Sequence, residues 1–308
     1  LCSGGPTVSR EAQPVILEAA VNGVTTRERN RNVPRTAAEI AATALRCLEA
    51  GAAIVHNHVD DFTASGERAA ALYLEGWRPI LERRPDAILY PTLCLGATIA
   101  ERYAHVEALA EAGVLRAAFL DTGSVNLGGL DENGLPGAPD FVYVNSFADI
   151  RHMMEVCERR RLGPSIAVFE AGFLRTVLAY ARAGRLPKGT LVKLYFGGDG
   201  GYLGEGRGGV PFGLPPTQTA LEAYLEMLAG SAIPWAVAVI GGDVVESGMA
   251  RLALERGGHV RVGLEDYGGS RTPSNEELVA EAAALARQVG RPVATPAEAA
   301  RLLALRRS

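Results

Sequence analysis

The sequence is short of aromatic residues, clustered cysteines, one-sided charge and long apolar runs, and each shortage closes off a class of protein. Aromatics make up 6% of the 308 residues, and the formal net charge is −4. No Lys/Arg cluster sits beside aromatics, so neither the electrostatic footprint nor the stacking platform of a nucleic-acid binder is present. The four cysteines, Cys2, Cys47, Cys94 and Cys157, are widely spaced with no CxxC pair. They read as reduced thiols of a cytoplasmic protein, not as a disulfide framework or zinc knuckle. No apolar run approaches the ~18 residues of a membrane span. Residues 1–13 lack the basic start and apolar core of a secretion signal. The expectation is a cytoplasmic chain with no membrane or nucleic-acid partner.

What is present is an aliphatic core and a strict alternation. Hydrophobic residues make up 48% of the chain. Short β-branched or alanine-rich runs alternate with helical patterns from end to end. Strands are expected at 14–21, 52–58, 87–93, 115–121, 165–170, 191–196, 234–240 and 259–264. Pro91 weakens the third. Helices are expected near 36–50, 66–84, 98–112, 146–161, 172–183, 217–229, 244–256, 275–289 and 296–305. Thr36 and Glu39 have the spacing of a capping box. Strand–helix alternation implies parallel strands with right-handed crossovers. Eight such units fit a closed (β/α)₈ TIM barrel. A doubly wound sheet fits less well, because the first strand–helix turn holds only Gly23 where that fold places a glycine-rich motif. The expectation is one domain over 1–308, with an N-terminal arm at 1–13 and a C-terminal helical extension at 290–308. Extended loops are expected after strands four and six.

The second strand runs into His56-Asn57-His58. Side chains two apart on a strand share a face, with Cα atoms roughly 6–7 Å apart. Both rings can therefore reach one ion, although a pair of hydrogen-bonded strand-end histidines has the same spacing. In a barrel the site lies at the C-terminal strand ends. Those ends carry Asn22, His56 and His58, Asp121 with the Ser124–Asn126 loop, Glu170, and Glu265 with Asp266. Two histidines and one carboxylate with an open position is a catalytic zinc pattern. Glu265 is the expected third ligand, since the last strand flanks the first; Glu170 is the rival. Arg261 shares inward parity with Glu265. It could clamp a carboxylate or tune the site, or it could pair with the inward Glu18. Asp266 could be a general base or a turn residue. Ser124 and Asn126 could offer donors to a carboxylate or close their own turn. Residues 196–213 hold nine glycines and no phosphate-loop match, which suits a lid or a groove for a nucleotide tail. His105 and His152 are expected on helix surfaces, and His259 at the far end of the barrel.

The ordered segments AAVNG (19–23), CLEAGAAIVHNHVDD (47–61), DTGSVNLG (121–128), FEAG (169–172), PWAVAVIGG (234–242), GGHVRVGLED (257–266) and GRPVATPAEAARLL (290–303) resemble the β-keto acid cleavage enzyme family. The resemblance implies a (β/α)₈ barrel in a homo-oligomer, a dimer or tetramer, with Zn2+ held by His56, His58 and Glu265. It implies an exchange between a β-keto acid and acetyl-CoA that gives acetoacetate and a new acyl-CoA. Asp266, assisted by Arg261, would be the base. Ser124 and Asn126 would bind the substrate carboxylate, with Glu170, Asn22, Thr25 and Gly242 around the substrate. Members acting on an amino-bearing substrate carry Glu where Thr25 stands, a Ser-Thr-Gly-Gly run near 93–96, and Arg where Gly242 stands. These differences point to a neutral or apolar acyl group. A zinc hydrolase, a class II-type aldolase or a catalytically weak binding barrel would use the same frame.

Overall fold

The computed structural model describes residues 13–137, 142–201 and 209–306. Eight parallel strands alternate with helices in a nearly closed barrel. The strands are β1 (Leu17–Ala20), β2 (Ile54–His56), β3 (Ile88–Tyr90), β4 (Ala117–Phe119), β5 (Gly163–Val168), β6 (Leu191–Gly197), β7 (Trp235–Ile240) and β8 (His259–Val262). The helices are α1 (Ala37–Ala50), α2 (Gly66–Arg83), α3 (Ile99–Glu111), α4 (Phe147–Arg160), α5 (Ala171–Arg182), α6 (Gln218–Leu228), α7 (Met249–Glu255), α8 (Asn275–Gln288) and α9 (Pro296–Leu302). The strands are near-continuously apolar because helices cover one face and the barrel interior covers the other. The expected N-terminal arm falls almost wholly outside the described residues, as do parts of the loops after β4 and β6.

Local chemistry sets most boundaries. The box expected at Thr36 and Glu39 forms at the start of α1. The same device recurs at Thr98, Ser146, Ser274 and Thr295. Strand β3 stops at Tyr90 because Pro91 has no N–H to offer a ladder. Helix α7 starts at Met249, later than the apolar pattern from 244 suggests. The Asp243 carboxylate accepts the Val245 and Glu246 N–H groups, which bends that stretch into a turn. Gly248, at φ 79°, then separates the turn from the helix.

Strand order runs β3-β2-β1-β8-β7-β6-β5-β4. The ladder is thus continuous from β3 round to β4, and among the described residues no ladder joins these two ends. Helix side chains stitch this seam. Tyr103 on α3 donates to the Phe119 carbonyl at 2.8 Å. His105 on α3 bonds the Thr92 carbonyl at 2.7 Å. Tyr73 on α2 accepts the Thr92 N–H at 3.1 Å. His105 is therefore fully buried, stacked between Tyr73 and Phe119, and not on the helix surface as its position suggested. His259 opens β8 as expected, and its Nδ1 accepts the Ile16 N–H.

Candidate metal centre and active site

The register of β1 with β2 and β8 gathers the site. Ala20 pairs with His56, and Glu18 pairs with Arg261. Alternation sends Asn57 outward, where it accepts the Trp77 indole N–H at 2.8 Å. His56 and His58 point inward, with ring centroids 5.2 Å apart. Past β8 the chain turns at Gly263, whose φ is 136° and where a Cβ would come within 2.1 Å of the Ala20 carbonyl. Only a glycine permits that approach, and it brings Glu265 against β1. Gly23 faces it from the other side, and a Cβ there would lie 2.4 Å from the Glu265 Cγ.

Glu265 consequently sits between the two imidazoles. His56 Nε2 lies 3.2 Å from one carboxylate oxygen, and His58 Nε2 lies 3.6 Å from the other. Ligands held about 2.0–2.2 Å from a shared tetrahedral ion sit about 3.3–3.6 Å from one another. The spacing fits a divalent metal. His58 Nε2 and Glu265 Oε2 are buried polar atoms without a hydrogen-bond partner, which an ion between them would satisfy. Burial pushes the His56 imidazole down to about 4, so the ring is neutral and able to ligate. Its Nδ1 faces the Tyr90 carbonyl at 3.2 Å, which turns Nε2 toward the cluster. Burial opposes ionisation of Glu265, but His56, Arg261 and His58 outweigh it and hold the carboxyl well below its usual range.

Arg261 is buried beneath this cluster. Its guanidinium reaches Asp266 at 2.7 Å, Glu18 at 2.8 Å and Glu265 at 2.9 Å. Three carboxylates around one cation give it the compensation a buried charge requires. The pairing with Glu18 and the contact with the site residues therefore coexist. Burial raises the Asp266 carboxyl above its ordinary value despite Arg261, with Glu265 adding to the rise. Burial opposes ionisation of Glu18 as well, yet Lys193 and Arg261 prevail and hold it at about 2.

A cavity of about 680 Å³ opens above these groups, and His56, His58, Arg261, Glu265 and Asp266 all line it. Asn22 does not line it; its side chain instead grips the His58 backbone. Thr25 is buried and donates to the Leu264 carbonyl at 2.7 Å, bracing the turn that carries Glu265. The other expected substrate residues stand apart from the cavity wall. Ser124 is exposed and exchanges hydrogen bonds with the Asn145 backbone; Asn126 is exposed. Glu170 accepts the Gly213 N–H at 2.9 Å and lies outside the ligand cluster. The Gly242 carbonyl accepts the Gly268 N–H.

Three wall residues that the sequence reading did not single out are Tyr90, Ser165 and Lys193. Each sits on a strand with inward parity. The signal for Lys193 was a lone charge inside the apolar run LVKLYF (191–196).

Among the described residues no helix is long and apolar enough to cross a membrane. The chain is 30% identical over 306 residues to the 3-keto-5-aminohexanoate cleavage enzyme of Fusobacterium nucleatum, covering 96% of this chain and 99% of that protein. It is 32% identical to the 3-oxoadipate:acetyl-CoA acetyltransferase of Cupriavidus necator, covering 95% of each. Its fold resembles that of ObcA, solved as a ternary complex with a C4-CoA adduct and oxalate. That match has a TM-score of 0.63 at 19% identity and covers 89% of this chain and 68% of that one. The family model of the beta-keto acid cleavage enzymes matches residues 14–305, and the chain belongs to that family.

Proposed function

We propose that this chain is a zinc-dependent β-keto acid cleavage enzyme that converts a β-keto acid and acetyl-CoA into acetoacetate and a new acyl-CoA. The observation that carries the reading is the contact between the two halves of the site. The His56–His58–Glu265 cluster and the Arg261–Asp266 pair meet through the Arg261–Glu265 bridge and open onto one cavity. The name of the Cupriavidus necator relative, which pairs a keto acid with acetyl-CoA, supports the same reading. Two imidazoles and one carboxylate leave room for further ligands, as a catalytic zinc site does. Bound there, zinc would supply a Lewis acid for the keto oxygen and the developing enolate charge.

The chain's own residues supply the proton handling. Asp266 takes a proton from C2 of the β-keto acid, and its raised pKa moves it toward the working range of a general base. C2 then bonds to the acetyl carbonyl carbon, and CoA leaves as the thiolate. The thiolate adds to the original 3-keto carbon and the C2–C3 bond breaks. The acyl group leaves as its CoA thioester, and C2 regains a proton from Asp266 as acetoacetate. Arg261 keeps the Asp266 carboxylate aimed through a 2.7 Å hydrogen bond.

The decisive experiment incubates purified protein with a panel of β-keto acids and scores acetoacetate with and without acetyl-CoA. Acetoacetate that depends on acetyl-CoA is expected. Cleavage in the absence of any CoA ester would replace this reading with a metal-dependent aldolase or hydrolase. A homodimer or homotetramer, as the family resemblance implies, completes the proposal and is read by analytical ultracentrifugation.

A further inference from the structure

The cavity wall away from the metal ligands has its own inventory of donors and acceptors. Its carboxylates are committed. Asp121 accepts the Tyr143 hydroxyl at 2.5 Å and the Ala167 N–H at 3.1 Å. Asp266 is engaged by Arg261. Asp149 takes the Ser146 N–H and the Arg102 guanidinium. Asp61 is held by Thr63 and Arg68. An ammonium group entering the cavity would meet Asp61, Asp121 and Asp266 with both oxygens already hydrogen-bonded, and Asp149 beside the Arg102 guanidinium.

Lys193 has the opposite surplus. It is 3% exposed and lines the cavity. Its Nζ donates to the Tyr90 hydroxyl at 2.8 Å and approaches Glu18 at 3.4 Å. An ammonium carries three donors, so one N–H is left over. Ser165, on the same wall, is 4% exposed. Its hydroxyl lies against the Tyr90 phenol and meets no other partner among the described residues. Ala167 pairs with Lys193 in the ladder between β5 and β6, and its small side chain leaves the space beside the ammonium open. Tyr90 ties this corner to the metal ligands, because its ring stacks on His56 at 4.5 Å. A buried ammonium with an N–H turned to the cavity favours a ligand that brings an acceptor oxygen to this corner.

We infer that Lys193 and Ser165 form a second recognition point for the substrate, which selects β-keto acids whose acyl substituent carries a hydrogen-bond-accepting oxygen, a carboxylate or a carbonyl, over those ending in an alkyl or ammonium group. This rests on the proposed reaction for the identity of the other end of the substrate. It departs from the apolar acyl group that Thr25, the 93–96 segment and Gly242 left open, because Lys193 brings a charged donor into the pocket from β6.

The test compares 3-oxoadipate, 3,5-dioxohexanoate, 3-oxohexanoate and 3-keto-5-aminohexanoate on wild-type holoenzyme and on Lys193→Met and Ser165→Ala. Dissociation constants come from calorimetry without acetyl-CoA, and kcat/KM from acetoacetate formation with it. A hydrogen bond to a charged donor is worth about tenfold or more. At least that preference for 3-oxoadipate or 3,5-dioxohexanoate over 3-oxohexanoate is expected, shrinking toward unity in both variants. Preference for the diacid alone assigns the role to the Lys193 charge; equal preference for both assigns it to the acceptor oxygen. Equal or tighter binding of 3-oxohexanoate or the amino acid, or a preference unchanged in both variants, overturns the inference. If no substrate yields acetoacetate, the reaction reading fails, while the binding ratios still decide this one.

Discussion

Asn22 holds His58 by its backbone on both sides: its Oδ1 accepts the His58 N–H at 2.8 Å, and its Nδ2 donates to the His58 carbonyl at 3.0 Å. The clamp lies just past the end of β1, one strand over from β2. It fixes the peptide of a residue that has already left the ladder. Asn22→Ala should keep the fold and lower metal affinity about ten- to hundredfold, the usual loss when an orienting partner of a ligand is removed. Competition titration with a chromophoric chelator reads the change. An affinity equal to wild type would mean that β2 positions His58 unaided.

Metal content tests the ligand set directly. Protein purified without chelator should carry about one zinc per chain, and His56→Ala should carry almost none. Gly23→Ala leaves every ligand in place but puts a methyl group against the Glu265 side chain at a backbone φ of 52°. It should also lose most of its zinc, with circular dichroism unchanged. Full zinc occupancy in His56→Ala would remove that residue from the site.

Asp266 and Arg261 separate by what each loses. Asp266→Asn keeps a side chain of the same shape beside Arg261 and removes the base. It should cut kcat by about 10²–10⁴ with little change in thermal midpoint. Arg261→Met leaves Glu18, Glu265 and Asp266 buried without their shared cation. That should destabilise the protein by about 3–5 kcal/mol, measured by urea unfolding, as well as abolish turnover. Equal stability in the two variants would count against the central place given to Arg261.

Acid stability follows from the buried histidines away from the site. Burial pushes His105 down to about 4 and His259 to about 3, both from an ordinary value of 6.5. Between those values and 6.5 the unfolded chain binds protons that the folded chain does not. Stability therefore falls as pH drops from about 6.5 toward 4. For His105 the loss is on the order of 3 kcal/mol. Thermal midpoints at pH 7 and pH 5 should differ less in His105→Gln than in wild type. An equal drop in both would show that other groups control the acid limb.

The barrel and the cluster of His56, His58 and Glu265 were legible for a physical reason: strand periodicity and the adjacency of the first and last strands in a closed barrel. Parity along a strand placed His56 with His58 and Arg261 with Glu265, and it made Glu18 the inward partner of Arg261. Residues whose role depends on how distant segments close together were not legible. His105 has an ordinary helical setting, and only the seam between β3 and β4 explains its burial. Ser124, Asn126 and Glu170 follow strand ends in sequence, yet Ser124 and Glu170 turn to backbone partners and Asn126 is exposed. Lys193 carried a signal that parity would have exposed, since it shares a face with Tyr195 on β6.

The seam between β3 and β4 divides the barrel into a stiff side and an adaptable one. His56 on β2 and Arg261 on β8 lie in the continuous ladder, where a change in one strand pulls on its neighbours' register. The facing edges of β3 and β4 answer instead to Tyr73, Tyr103 and His105, so side chains there can change size without dragging a ladder out of step. The cavity wall at Thr92–Ala97, Phe119 and Val142–Val144 borders that edge. A change along that edge leaves untouched the register that brings His56, Arg261 and Glu265 together on the opposite side.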